Sequence, residues 1–204
     1  MTEEEKDKLR QAKADVTDLL ANMDIDRYRL TEIDSRLDSY VRMVAGNPDA
    51  HNLYEQLAVQ RFFYMCDKYG INATEVWQFA DFYESLYFPG KTGQQRYALT
   101  PVQYFQFASI FAFWEGTKRV VREAVLYVPR KFSKTTSTAS LAVYDLLYGD
   151  ANAESYTGAN SSDQAKKCFD VIRNCVLKLD PKERRYTVNE QTVKSLSLIH
   201  ISEP

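Results

Sequence analysis

Apolar residues recur at steps of three, four and seven along the first half of the chain. Val16, Leu20 and Met23 follow this spacing. The same spacing returns in Leu30, Ile33, Leu37, Tyr40, Val41 and Val44. Because an α-helix turns once in about 3.6 residues, such positions share one face. The sequence therefore predicts two amphipathic helices here, and two more over about 50–69 and 73–88.

Two turn-rich segments interrupt this pattern. The segment AGNPDAHN at 45–52 contains Gly, Asn and Pro, which favour turns. The segment FPGKTGQQ at 88–95 is the stronger break, and we predict a domain boundary there. Beyond it, Thr100 and Pro101 predict the start of a helix that runs to about Glu115, with Thr as the N-cap and Pro at the first helical position.

The second half of the chain changes character. REAVLYV at 122–128 is short, apolar and partly β-branched, which favours a buried strand, and AESYTGA at 153–159 predicts a second one. A helix that ends at Gly149 lies between them, and a helix capped by Ser161 or Ser162 follows. This alternation of strands and helices is typical of a parallel α/β sheet.

Composition narrows the class of protein without identifying it. The chain has 204 residues, a formal net charge of −2 and a pI near 5.8, so global charge does not indicate a nucleic-acid binder. Cys66, Cys168 and Cys175 lack CxxC spacing, which argues against a disulfide framework or a zinc site. The charged N-terminus and the absence of a long apolar run predict a soluble, intracellular protein.

An aromatic-rich helix precedes the first predicted strand. It contributes Tyr104, Phe105, Phe107, Phe111, Phe113 and Trp114. Aromatic side chains can stack on nucleic-acid bases. Their helical spacing favours instead a core that covers one face of the sheet.

The segment RKFSKTT at 130–136 has the outline of a phosphate-binding loop. Lys134 and Thr135 form the Lys-Ser/Thr pair that follows a strand and opens a helix in such loops. The two glycines of GxxxxGK[ST] would fall at Val128 and Ser133, and both are replaced. On the motif alone the match fails, and a basic turn at the start of a helix is the favoured interpretation.

The charge of this segment favours an anionic ligand. No acid lies between Glu123 and Asp145, whereas Arg130, Lys131 and Lys134 cluster at the predicted helix N-terminus. Cations at that end oppose the helix dipole. A bound phosphate would offset this cost.

The wider sequence resembles the ATPase domain of the large terminase subunit of tailed bacteriophages, from about Leu53 to Leu179. That family has a variant Walker A loop of the form V-P-R-K-x-x-K-[ST]. The matching residues are Val128, Pro129, Arg130, Lys131, Lys134 and Thr135. The family usually keeps glycine before the lysine, whereas this chain has Ser133, which tolerates a positive φ poorly. Gln103 matches an adenine-contacting glutamine, and Gln164 with Ala165 matches the segment after the second strand.

The resemblance implies ATP and Mg²⁺ as cofactors and assigns a role to each loop residue. Lys134 would contact the β- and γ-phosphates, and Thr135 would bind Mg²⁺. Arg130 or Lys131 would neutralise the γ-phosphate. Backbone N–H groups from Phe132 through Ser133 and Lys134 to Thr136 would cradle the phosphates. Gln103 would contact the adenine.

The resemblance also implies a biological setting. Large terminase subunits form a homo-oligomeric motor in the host cytoplasm during virion assembly, with no membrane involved. The expected partners are double-stranded viral DNA, the portal protein and the small terminase subunit, which the N-terminal helices could contact. The parent protein is expected to be an ATP hydrolase and an endonuclease.

We identify neither a Walker B acidic pair nor nuclease carboxylates in the sequence. SLSLIHISEP has Ser202 where a Walker B strand needs Asp, and it resembles translated read-through of a sequencing-library adapter. We therefore predict an α/β fold with an incomplete P-loop NTPase parallel sheet and an N-terminal helical region. The expected parts are a helical lead-in at 1–93, a partial P-loop ATPase domain at 94–193 and an artefactual tail at 194–204. Such a fragment should hydrolyse ATP poorly or not at all.

Two alternatives stay open at this stage. The chain could belong to another P-loop motor such as a helicase, although helicases usually keep the glycines. It could also be a non-catalytic helical interaction module whose basic loop binds an acid of a partner. Nucleotide binding that depends on Lys134 distinguishes the second alternative from the ATPase.

Overall fold

The computed structural model describes residues 2–149, 154–189 and 191–195, and helices dominate these residues. The helices are α1 (Glu3–Ala21), α2 (Leu30–Ile33), α3 (Ser35–Gly46), α4 (Leu53–Tyr69), α5 (Ala73–Ser85), α6 (Pro101–Phe111), α7 (Lys134–Tyr148) and α8 (Ser162–Leu179). Short 3₁₀ turns lie at Asp26–Tyr28 and Pro48–Ala50. The strands are β1 (Phe88–Gly90), β2 (Gly93–Gln95), β3 (Trp114–Glu115), β4 (Lys118–Arg119), β5 (Tyr186–Val188) and β6 (Val193–Ser195).

Local capping chemistry starts several of the helices where the sequence predicts. The Thr100 hydroxyl accepts from the Gln103 N–H at the start of α6, with Pro101 at the first position. Ser161 caps α8 by accepting from the Gln164 N–H. These side chains satisfy N–H groups that the first turn of a helix leaves without partners.

One predicted helix is divided in two. The apolar run from Leu30 to Val44 predicts a single helix, but Asp34 adopts an extended conformation between α2 and α3. Its carboxylate accepts from the Arg36 N–H at 2.7 Å and from the Arg36 guanidinium. An aspartate that caps a new helix competes with continuation of the preceding one, which the apolar spacing does not reveal.

The described residues fall into two compact units, within Met1–Ala80 with Leu99–Ala124 and within Asp81–Ala98 with Val125–Pro204. In the first unit, α3 packs on α6 and α1 packs on α4. Aromatic rings form its centre, where Phe62 lies 5.4 Å from both Phe105 and Phe113 between ring centroids. The expected core role of this aromatic cluster is confirmed, although its members pack between helices instead of covering a sheet.

The second unit is built around the pair α7 and α8, which pack on each other. The rings of Phe82, Tyr144 and Tyr148 form a cluster in which each pair of centroids lies 4.9–5.7 Å apart. The Cys175 thiol on α8 donates to the backbone carbonyl of Tyr87 at 3.4 Å. These contacts fix α7, the helix that begins at Lys134.

The parallel sheet that the sequence predicts is not formed by the described residues. Residues 122–128 have no regular secondary structure, and Val125 and Tyr127 are 85% and 101% exposed. The second predicted strand is likewise irregular over 154–159, and residue 153 lies outside the described residues. A strand exists only when a neighbour pairs with it, and the strand pairs within the described ranges are short and antiparallel.

The C-terminal segment is only partly within the described residues. Antiparallel pairing joins Tyr186 to Ser195 and Val188 to Val193, so β6 includes the first two residues of the predicted tail. Residues 196–204 of that tail lie outside the described residues. None of the described helices is both long enough and apolar enough to cross a membrane.

Candidate functional site

The loop before α7 has an unusual backbone at two positions. Lys131 and Ser133 adopt φ angles of 68° and 58°, in the left-handed region. Side chains with a Cβ seldom occupy this region, which glycine adopts at little cost. Ser133 therefore carries a Cβ although its backbone takes the left-handed conformation that favours glycine.

Lys134 closes this loop on itself. Its ammonium group donates to the carbonyl of Val128 at 2.8 Å and to that of Pro129 at 3.3 Å. Because Lys134 is also the first residue of α7, its positive charge lies beside the helix N-terminus. Unlike the start of α6 or α8, the start of α7 receives no side-chain cap. The helix therefore begins with N–H groups that an anion could bind.

A second set of hydrogen bonds secures the residue before the helix. The Thr136 hydroxyl donates to the Ser133 carbonyl at 2.8 Å, and the Ser137 N–H donates to the same carbonyl at 2.9 Å. Ser137 is buried, whereas Ser133 is exposed. The exposed residue Ser133 is thus held by hydrogen bonds from the first turn of α7, where Ser137 is buried.

The other loop residues lie at the surface. Arg130, Lys131 and Thr135 are exposed, and Phe132 is half-buried. The predicted phosphate-binding residues therefore lie on the loop before α7 and on the first turn of that helix, in the second unit. No acidic residue lies in the first turn of α7, so the positive charge expected from the sequence is present there.

Gln103 lies in the first unit, on α6, and is 7% exposed. Its side-chain oxygen accepts from the Thr100 N–H at 3.0 Å and from the Thr100 hydroxyl at 2.8 Å. This pair is a capping box, in which the cap residue and the third helical residue satisfy each other. The prediction that Gln103 contacts adenine is not tested by these contacts.

Sequence reasoning did not single out Tyr83, a residue of α5 in the second unit. It is 2% exposed. Burial raises the pKa of Tyr83, while its interaction with the Thr136 side chain acts in the opposite direction. No local pattern could have linked Tyr83 to the loop, because the contact joins segments about 50 residues apart.

Protein side chains alone do not form a metal centre in the described part of the chain. It contains no group of three or more His, Cys, Asp or Glu side chains that could hold a metal ion. Thr135 is the second residue of α7 and is exposed. A Mg²⁺ ion that is bound mainly by phosphates and water needs few protein ligands.

Comparison with known protein families gives a match. Residues 101–201 match the family model for the terminase large subunit, ATPase domain. The match includes the loop, α7 and α8, as well as the aromatic helix α6. No curated protein and no solved structure matches the chain significantly.

Proposed function

Since this chain belongs, through residues 101–201, to the family of terminase large subunit ATPase domains, we propose that it binds ATP with Mg²⁺ through the loop at 128–136. The family indicates, in general terms, a bacteriophage DNA-packaging ATPase. The nucleotide-binding role of this particular loop is our proposal. The observation that carries it is the position of Lys134, whose ammonium lies over the loop at an uncapped helix N-terminus.

Each loop residue takes the role that its chemistry allows. Lys134 exchanges the carbonyls of Val128 and Pro129 for β- and γ-phosphate oxygens, because a charge-assisted bond to an anion is stronger than one to a neutral carbonyl. Backbone N–H groups between Phe132 and Thr136 cradle the phosphates, as the start of an uncapped helix permits. Arg130 or Lys131 neutralises the γ-phosphate, since both are exposed on the same loop.

Thr135 is the proposed protein ligand of Mg²⁺. When bound, the ion would bridge the β- and γ-phosphates and neutralise part of their charge. The hydroxyl of Thr135 is exposed at the second position of α7, next to the lysine that contacts the same phosphates. This arrangement fits a metal held chiefly by the nucleotide and water.

Gln103 is the proposed contact for adenine, on the strength of the family resemblance. Because its side-chain oxygen already accepts from Thr100, its amide NH₂ group is the part that would donate to a ring nitrogen.

The family also suggests the partners and the setting that we propose for this protein. The proposed partners are double-stranded DNA, the portal protein and the small terminase subunit. We propose that the motor is a homo-oligomer that works in the host cytoplasm.

Nucleotide binding by the purified chain tests the proposal. We would titrate fluorescent ATP with Mg²⁺ into the wild type, Lys134→Ala and the control Lys178→Ala, which removes an exposed lysine on α8. Loss of one charged hydrogen bond corresponds to a fall in affinity of about 10- to 100-fold, expected for Lys134→Ala only. Equal binding by all three proteins would contradict the proposal and favour a basic loop that binds an acidic partner.

A further inference from the structure

The side-chain oxygen of Gln103 is fully engaged by one neighbouring residue. It accepts from the Thr100 N–H at 3.0 Å and from the Thr100 hydroxyl at 2.8 Å. A carbonyl oxygen has two lone pairs, so these two bonds use its whole capacity as an acceptor. The Thr100 hydroxyl in turn accepts from the Gln103 N–H at 3.4 Å. The Gln103 oxygen therefore has no lone pair left for a donor on a ligand.

Thr100 also fixes which way the Gln103 amide faces. The Thr100 N–H can only donate, so it needs an oxygen opposite it. If the amide turned over, its NH₂ group would face this N–H, and the N–H would lose its acceptor. Gln103 is 7% exposed, and a packed interior leaves such a side chain few other rotamers. The amide is therefore held with its NH₂ group on the side away from the Thr100 N–H.

The NH₂ group of Gln103 is the part of this amide that is open to a partner. It makes no hydrogen bond to the residues that the structure describes. It is also not among the buried atoms without a partner in that part of the chain, so a ligand can reach it. Polar groups of nearly buried side chains usually have a partner. A donor without one, on a side chain held in place, fits a ligand that offers an acceptor.

We propose that Thr100 is a positioning residue that limits Gln103 to donating a hydrogen bond to the base of the nucleotide. The inference rests on the proposed function, in which Gln103 contacts adenine, and it states what this contact recognises. A donor recognises a ring nitrogen with a free lone pair. It does not recognise the 6-amino group of adenine, which is itself a donor and would need the oxygen that Thr100 occupies. Gln103 should therefore contribute equally to the binding of purine nucleoside triphosphates with and without a 6-amino group.

The first test removes the donor and keeps the capping pair. Gln103→Glu keeps an oxygen for Thr100, because glutamate is a regular third residue of a capping box, but it has no NH₂ group. We expect it to weaken binding of ATP with Mg²⁺ by about three- to tenfold. Inorganic tripolyphosphate has no base, so its binding should not change. Gln106→Glu makes the same charge change on α6 and is the control, which should bind ATP as the wild type does.

Purine riboside triphosphate, which is ATP without its 6-amino group, tests what Gln103 recognises. It keeps every ring nitrogen of adenine, so Gln103→Glu should weaken its binding by the same factor as that of ATP. Analogues in which carbon replaces the nitrogen at ring position 1, 3 or 7 locate the acceptor. One of the three should bind the wild type more weakly than ATP does and should lose nothing further with Gln103→Glu.

The second test loosens the hold of Thr100 on the amide. Thr100→Val removes the hydroxyl and keeps the shape of the side chain, whereas Thr100→Ser keeps the hydroxyl. We expect Thr100→Val to weaken ATP binding by about two- to fivefold, because the amide is then less restrained before binding. Tripolyphosphate binding should stay the same, and Thr100→Ser should restore ATP binding. A merely structural role of Thr100 in starting α6 would not change the ratio of the two affinities.

Several results would overturn the inference. A loss with Gln103→Glu that is larger for ATP than for purine riboside triphosphate would show that Gln103 recognises the 6-amino group. Equal losses for ATP and tripolyphosphate would place the effect away from the base, and thermal unfolding of each variant would show whether the fold has changed. Normal ATP binding by Gln103→Glu or by Thr100→Val would also overturn it. Failure of the wild type to bind tripolyphosphate would instead overturn the proposed function, and this inference with it.

Discussion

The Lys134 ammonium lies 2.8 Å from the carbonyl oxygen of Val128, six residues earlier in the chain. This bond joins the two ends of the loop and holds the Lys134 ammonium group against the loop backbone. A triphosphate bound as we propose would meet a lysine already directed inward, so less freedom would be lost on binding. The two carbonyls that Lys134 releases must then find water as a partner.

Lys131→Asn separates the charge of the loop from its backbone conformation. Asparagine tolerates the left-handed region better than most residues, so the loop should keep its path at φ near 68°. The loss of one exposed cation near the phosphates should weaken ATP binding by about three- to tenfold. Titrations at low and high salt measure this, and the difference between variant and wild type should shrink as salt rises. Lys182→Asn, in an exposed turn, is the control. A difference that does not depend on salt would indicate a conformational effect instead.

Gln56→Leu should destabilise the first unit although it adds apolar surface to a fully buried site. The Gln56 side chain accepts from the Thr17 hydroxyl at 2.8 Å and donates to the carbonyls of Pro48 and His51. Leucine removes these hydrogen bonds from half-buried groups, of which the Pro48 carbonyl keeps only the His51 N–H, and this costs about 1–3 kcal/mol of unfolding free energy. Urea unfolding followed by tryptophan fluorescence measures it. Gln78→Leu, exposed on α5, is the control, and an equal effect of both changes would contradict the prediction.

The elements that the sequence predicts well are those whose causes are local. Thr100 with Pro101 and Ser161 start helices because a cap depends on residues within one turn. The helix end that the sequence predicts at Gly149 is likewise found in the structure, where Gly149 is the C-cap of α7. The continuous basic loop at 130–136 was also predictable, since it depends only on residue types in order.

The features that the sequence does not predict depend on distant partners. Residues 122–128 have the composition of a strand, but pairing decides whether a strand forms. Asp34 divides a regular apolar run because its carboxylate accepts from the Arg36 N–H and so caps a new helix in place of continuing the preceding one. The interaction of Tyr83 with Thr136 joins residues about 50 positions apart, and no local sequence pattern indicates it.

Phe62→Ala should strongly destabilise the first unit. The ring is 1% exposed and contacts the rings of Phe105 and Phe113, so its removal leaves a cavity between helices. Such a change in a core costs about 3–5 kcal/mol of unfolding free energy. Tyr54→Ala on the same helix is a matched control, because Tyr54 is 74% exposed and should cost less than about 0.5 kcal/mol. Chemical unfolding compares the two variants, and similar midpoints would refute this account of the core.

Stability should fall as pH rises from about 9 to about 12. Burial raises the pKa of Cys66 and of Cys175 from the ordinary value of 9.0 to about 12. In that window the unfolded chain loses thiol protons that the folded chain keeps, so alkali favours unfolding by about 1.4 kcal/mol per pH unit for each thiol. Cys66→Ala and Cys175→Ala should each flatten the dependence of unfolding free energy on pH. Cys168→Ala, at a half-buried position, should flatten it less, and identical slopes for all variants would contradict the prediction.

We expect the 204-residue chain to bind ATP with Mg²⁺ and yet to hydrolyse it slowly. Hydrolysis by P-loop enzymes needs an acidic group that holds Mg²⁺ and a group that orients the attacking water, besides the lysine and threonine of the loop. The sequence offers no Asp-Glu pair at the end of an apolar strand. Turnover should therefore stay below about 0.01 per second, against about 1 per second or more for typical enzymes. Phosphate release by the wild type and by Lys134→Ala measures it, since any turnover that survives in the variant comes from a contaminant. Turnover near about 1 per second that disappears with Lys134→Ala would show that this chain contains the acidic group after all.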